Sequence, residues 1–177
     1  MKHRVISLWQ PWASLLAGGV KTIETRSWQT PYRGLLFIHA AKFKNDFTLA
    51  MASKFERQLS ALYASTHPGR PIHLDLPRGV IVGAVVLAGC NTSEDLIERG
   101  LTRLEQSLGD YSPDRFGWTC VEPVLFSAPI PTRGQQGLWQ LDQPTLNLCL
   151  AQLELARSEQ AVAAGMAVGG VTEEAAA

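Results

Sequence analysis

Apolar and polar positions change period several times along the chain, and each change marks an element. Val5–Leu8 is a short apolar run and predicts a strand. It leads into Gln10–Gly19, where Pro11 stands in the first turn and Gly18-Gly19 close the segment, the asymmetry of a short helix. Thr22–Trp28 alternates and is β-branched at Thr22, Ile23 and Thr25, so it predicts a second strand. Thr30–Gly34 carries turn chemistry, and Leu35–Ala40 is apolar with His39 near its end. Two strands flanking a short Pro/Gly turn predict an antiparallel pair.

Further along, Phe47, Met51, Phe55, Leu59 and Leu62 recur at helical spacing, predicting one helix from Asp46 to about Ser65. A loop with three prolines follows over Thr66–Arg78. Gly79–Cys90 is apolar at every face, as expected of a central strand covered on both sides. Thr92-Ser93-Glu94-Asp95 resembles a capping box and predicts a helix to about Leu108. Phe116–Phe126, interrupted by Pro123, and Gly137–Leu141 complete the strands. From Pro144 the chain turns alanine-rich, with Leu146, Leu150 and Leu153 on one stripe. This predicts an appended C-terminal helix over 144–164 and a flexible tail over 165–177. The order of elements describes an α+β domain over residues 1–143, built on a small mixed β-barrel flanked by helices. No glycine-rich fingerprint follows the first strand, which disfavours a dinucleotide-binding fold.

The bulk properties narrow the function classes. A chain of 177 residues suits one domain. No run approaches the roughly 18 apolar residues that a membrane helix needs. The N-terminal residues reach Trp9, Gln10 and Pro11 before a signal-peptide core forms, so a cytoplasmic protein without membrane attachment is expected. Cys90, Cys120 and Cys149 are widely spaced, and the four histidines lack metal-binding spacing. Free thiols, no metal and no cofactor are expected. The net charge is zero, yet in the first 44 residues Lys2, Arg4, Lys21, Arg26, Arg33, Lys42 and Lys44 stand against Glu24 alone. The remaining 133 residues carry the balancing −6, so a local basic surface is expected on an acidic body.

The densest polar cluster is Gly19–Trp28. Strand alternation puts Thr22, Glu24, Arg26 and Trp28 on one side and turns Ile23 to the core, while Lys21 sits at a junction where parity does not fix its direction. An amine, a carboxylate, a guanidinium and an indole supply the donors, acceptor and stacking plate that a nucleobase and its phosphate require. A strand face laced with ion pairs accounts for the same residues. Ser7–Trp12 adds a polar rim, with free N–H groups expected at the first helix. Trp9 and Trp12 offer stacking surfaces, one of them expected to pack in the core. His39 shares parity with Leu35 and Phe37, which favours a buried, hydrogen-bonded histidine over a catalytic base. Thr132–Gly137, two glycines flanking a pair of amides, is either a loop that closes over a ligand or an ordinary turn, and Trp139 is expected in the core.

Four blocks in order, SLWQPWASLLAGGVKTIETRSW, YRGLLFIHAAK, RGVIVGAVVL and FGWTCVEPVLFSAPIPTRGQQGLWQL, resemble the ASCH family, whose fold is PUA-like. The resemblance covers about residues 4–142 and includes G-x-K-x-x-E-x-R at Gly19, Lys21, Glu24 and Arg26. It implies a PUA-like barrel with a cleft beside it that binds RNA or a modified nucleobase, nucleoside or nucleotide. Ser7, Trp12, Lys21, Glu24, Arg26, Trp28, Arg33 and His39 are the candidate lining residues. The alternative it implies is an amidohydrolase of N4-acetylcytidine or a related acylated nucleoside, with Lys21 and Glu24 as the catalytic pair. Those relatives use a Lys, a Thr and a later Glu. Lys21 matches the Lys, but Glu24 stands where they have Thr, and a carboxylate there pairs with the amine instead of attacking an amide. Alignment does not choose among Glu94, Glu98, Glu105 and Glu122 for the later Glu.

Overall fold

A computed structural model describes residues 3–65 and 71–169, the last seven of these as backbone only. In chain order the elements are β1 (Arg4–Leu8), α1 (Trp12–Ala17), β2 (Ile23–Arg26), β3 (Gly34–Ala40), α2 (Asp46–Lys54) and α3 (Glu56–Leu62). After a 3-10 turn at Ile72–Leu74 come β4 (Val80–Thr92), α4 (Ser93–Glu98), α5 (Arg103–Leu108), β5 (Phe116–Pro131), β6 (Leu138–Trp139) and α6 (Gln143–Gly169). The strands form one curled, mixed sheet in the order β2-β5-β4-β3-β1-β6. β1 and β3 run parallel, and every other pairing is antiparallel.

The apolar run of β4 sits between β3 and β5, and its two faces meet different partners. On one face Val82, Val85 and Leu87 pack with Leu16 and Ala17 of α1 and with Trp118. On the other, Ile81 and Ala84 pack with Phe37, Val124 and Phe126 under Cys149, Leu153 and Ala156 of α6. The C-terminal helix therefore covers the second face of the sheet: Cys149 is fully buried. A third cluster joins Leu15 of α1 to Ala52, Phe55, Leu59 and Tyr63 of the α2–α3 region. Gly83 is needed where α1 crosses β4. A Cβ there would lie 2.2 Å from the Val124 carbonyl oxygen and 2.9 Å from the Ala17 Cβ.

Several local expectations change. β2 and β3 are not a hairpin: β2 pairs with β5 (Glu24 opposite Trp118), while β3 lies between β1 and β4. Turn chemistry reports the bend at Thr30–Gly34, but a partner for β2 from some ninety residues later wins the hydrogen bonds. The helix expected over 46–65 breaks at Phe55, and the one expected over 93–108 breaks around Gly100, whose φ is +88°. Thr92 caps α4 by accepting from the Asp95 N–H. α6 continues to Gly169, and the remainder of the expected tail, from residue 170, lies outside the described residues. Among the described residues, no helix is long and apolar enough to cross a membrane.

Candidate functional site

The G-x-K-x-x-E-x-R segment builds a graded polar column from the core outward. Gly19, at φ +77°, turns the chain out of α1. Lys21 follows and is 1% exposed. Its Nζ donates to the carbonyls of Ile23 and Leu108, the latter at 3.1 Å. It also lies 3.8 Å from Glu24 Oε2 and 3.9 Å from Glu105 Oε1. Glu105, on α5, is the later glutamate that meets Lys21. Its carboxylate accepts from Thr22 N–H (2.9 Å), the Thr22 hydroxyl (2.9 Å), Ile23 N–H (3.2 Å) and the Tyr111 hydroxyl (3.3 Å). It thereby pins the start of β2 to α5; burial first, and Glu105 next, push the Tyr111 phenol up. Burial first, and Glu24 next, push the Cys120 thiol up to about 12.

Glu24 Oε1 stands 3.2 Å from Arg26 Nε, and Arg26 Nη2 donates to the Ser7 carbonyl at 3.3 Å. Arg26 is the divide between two open cavities, which also share Ser7 and Trp9. The larger, about 1000 Å³, is lined by Ser7, Trp9, Arg26, Trp28, His39, Lys42 and the 132–137 loop. Its charged liners, Arg26, Lys42 and Arg133, are all basic, and no described liner is acidic. The smaller, about 560 Å³, mixes Glu24 and Asp110 with Arg26 and Arg115 beside Trp12.

Of the eight residues predicted to line one cleft, Ser7, Arg26, Trp28 and His39 border the larger cavity. Ser7, Trp12, Glu24 and Arg26 border the smaller. Lys21 borders neither, because its amine is turned into the core. Arg33 is exposed and donates to the Thr30 and Tyr32 carbonyls at 2.9 and 2.7 Å, away from both cavities. Neither Trp9 nor Trp12 packs in the core. Trp9 is 47% exposed and stacks on exposed Phe43 (4.5 Å between centroids), and Trp12 stacks on Phe47 at 5.9 Å. In the first helix the Ala13 and Ser14 N–H groups are not free: Ala13 N–H donates to the Trp9 carbonyl, and Ser14 N–H donates to the Gln10 side chain. Gln10 itself is fully buried and also donates to Ser14 Oγ and the Pro77 carbonyl. Trp28 meets Trp118 edge to face at 4.5 Å, and the Trp118 indole donates to the Trp28 carbonyl.

His39 is 2% exposed, and burial lowers its pKa against the opposing pull of the Thr132 carbonyl. Its Nδ1 is 3.1 Å from Ser7 Oγ, its Nε2 is 3.2 Å from the Thr132 carbonyl oxygen, and Trp139 stands edge-on at 5.8 Å. Lys42 entered the sequence reading only through the basic excess and Arg133 only as part of the Thr132–Gly137 loop, so neither stood among the candidate lining residues. The basic excess of the N-terminal third was the available signal for Lys42, whereas Arg133 arrives from a loop whose place only the β5–β6 connection fixes.

Comparison with known proteins follows the same outline. An ASCH domain model matches residues 6–129. The human protein named activating signal cointegrator 1 is 31% identical over 139 residues, 77% of this chain, and its mouse counterpart is 32% identical over the same span. The chain spans only 22% of the length of these relatives. A crystal structure of ASCH from Zymomonas mobilis superposes with a TM-score of 0.51 at 15% identity, covering 85% of this chain and 94% of that one. A variant of the same bacterial protein gives 0.51 at 17% identity.

Proposed function

The chain belongs to the ASCH domain family, and from that premise we propose that it binds RNA, seating a nucleotide in the larger cavity. The carrying observation is the all-basic charge of that cavity beside two indoles. Arg26, Lys42 and Arg133 face the phosphates, the Trp28 and Trp9 rings offer stacking surfaces, and Gln135 and Gln136 supply amide donors and acceptors for base edges. The exposed Trp9–Phe43 and Trp12–Phe47 stacks extend the aromatic surface past the cavity mouths, where flanking bases of a single strand would lie. The identity of the base, and any modification on it, is read by the loop amides in this proposal.

The amidohydrolase reading finds less support. Lys21 and Glu105 do stand together, but the amine is committed to two carbonyls and two carboxylates and borders neither cavity. Affinity of the protein for a labelled single-stranded RNA, measured against salt, tests the binding proposal. Three phosphate contacts predict that log K falls with log salt at a slope of about −2. Trp28→Ala should cost about 1–3 kcal/mol of affinity if the ring stacks a base. Salt-independent binding, or binding indifferent to Arg26→Ala and Lys42→Ala, would sink the proposal.

A further inference from the structure

The 132–137 loop closes on β1 and β3 through a small hydrogen-bond network whose protons can be counted. Ser7 Oγ lies 2.9 Å from the Gln135 carbonyl oxygen and 3.1 Å from His39 Nδ1, and it accepts from Trp139 Nε1 at 3.2 Å. His39 Nε2 faces the Thr132 carbonyl oxygen at 3.2 Å. Both carbonyls only accept, so Nε2 must carry a hydrogen and the single Ser7 hydroxyl hydrogen goes to Gln135. Ser7 Oγ then has lone pairs to offer and nothing to give, so Nδ1 must donate as well. Every contact is satisfied at once only when both ring nitrogens carry hydrogen, which is the imidazolium. With a neutral ring one contact is lost, that of the Thr132 carbonyl, the Gln135 carbonyl or Nδ1, according to the tautomer and the direction of the hydroxyl.

The surrounding charges push the other way. The register neighbours of His39, Ser7 on β1 and Ile81 on β4, are uncharged, and so is Trp139 on β6. The charged groups facing the same cavity are Arg26 from β2, Lys42 after β3 and Arg133 from the loop, all cationic. Glu24, held by Arg26, borders the other cavity. Burial opposes a second proton on the ring, the three cations lining the cavity disfavour it as like charges, and an anion placed among them offsets that opposition. We infer that the larger cavity takes a phosphate-bearing ligand together with one proton, held on His39, and that the proton fastens the 132–137 loop over it.

This deepens the RNA proposal and rests on it for the identity of the ligand. At Gly134 the loop leaves no room for a side chain against the pair. A Cβ there would fall 2.3 Å from His39 Cε1 and 2.6 Å from Nδ1, so Gly134→Ala should force the loop and the imidazole apart while keeping the titratable ring. By linkage, affinity rises as pH falls between the bound and free values of the ring, by at most tenfold per pH unit.

A uridine oligomer without terminal phosphates suits the test, because neither its diesters nor its bases titrate between pH 5 and 8. Binding to the full chain is expected to tighten about tenfold from pH 7.5 to 5.5, with less gain in Gly134→Ala and none in His39→Gln. A pH-independent affinity in the wild type, or a pH dependence that survives in His39→Gln, overturns the inference. A second arm needs no RNA: the His39 ring is titrated by NMR with and without sulfate. Its pKa should rise with sulfate, and the 134–136 amides should gain exchange protection as the ring takes up its proton. A ring that titrates with no response to sulfate or in the loop overturns the inference by itself. If the oligomer fails to bind while this arm succeeds, the RNA reading alone falls.

Discussion

Replacing Lys21 by methionine keeps most of the aliphatic stem and removes one buried charge. The ammonium lies at 1% exposure between two main-chain carbonyls and two carboxylates. Its loss leaves the Leu108 and Ile23 carbonyls short of a donor, at about 1–3 kcal/mol for each group that finds no water. It also leaves Glu105 without its cation and Glu24 with Arg26 alone. Removing one member of a buried ion cluster typically costs about 3–5 kcal/mol. For a protein of this size that corresponds to a fall in Tm of roughly 6 to 20 °C. Urea denaturation of wild type, Lys21→Met, Glu24→Gln and the double variant measures it. The double variant should be less destabilised than the sum of the singles, because removing the carboxylate relieves what the missing amine exposed. RNA affinity of the folded Lys21→Met protein should fall far less than that of Arg26→Ala. A stability loss below about 1 kcal/mol, accompanied by lost RNA binding, would refute the reasoning and return Lys21 to the ligand site.

Gly83→Ala should cost about 3 kcal/mol or more in urea denaturation, because the obstruction is the Val124 carbonyl and not a flexible side chain. Leu153→Ala should cost about 2–5 kcal/mol, since α6 covers a face of the sheet; a cost within 0.5 kcal/mol would show the helix to be dispensable. In thiol titration of the native protein at pH 8, Cys90 should react first. Burial pushes Cys149, and burial with Glu24 pushes Cys120, up to about 12, so these two should react only on unfolding. The same two thiols ionise in the unfolded chain before the folded one. Their stability contribution is thus complete below the unfolded value of about 8.5 and is lost as pH rises from there toward 12. Alkaline unfolding of Cys120→Ala and Cys149→Ala should accordingly be less steep with pH than that of the wild type.

What the sequence disclosed depended on the range over which each cause acts. The double-sided apolar run of β4 states its own burial, and it does lie between two strands with a helix on each face. Parity placed His39 with Leu35 and Phe37, and its ring is buried and hydrogen-bonded, although its edge also meets a cavity wall. The β2–β3 pairing misled because a turn signal is local while strand partnership is settled by the whole sheet. Phe55 belongs to the apolar stripe 47–62 and gives no sign that the helix breaks there. Lys21 was the hardest case, since a lysine next to a glycine turn has no parity. Only the arrival of Leu108 and Glu105 from α5 shows that the amine points inward. The Thr132–Gly137 loop was open to two readings in the sequence, ligand cover or ordinary turn, and the place of Arg133 within it is a property of the β5–β6 connection.

The spacing of Gly19, Lys21, Glu24 and Arg26 is better understood as support for one outward cation than as a ligand-binding list. The glycine allows the sharp exit from α1, and the lysine descends to anchor α5 through the Leu108 carbonyl. The glutamate, two strand positions below the arginine, is fixed by that lysine on one side and meets Arg26 Nε on the other. Arg26 is therefore held by the Glu24 carboxylate and the Ser7 carbonyl before any ligand arrives, so little side-chain entropy remains to be lost on binding. Lysine at position 26 would keep the charge and lose this two-point attachment. Arg26→Lys should consequently weaken RNA binding nearly as much as Arg26→Ala while leaving the salt slope close to wild type. An affinity restored by lysine would mean that charge alone matters there, and that the column beneath Arg26 serves the fold only.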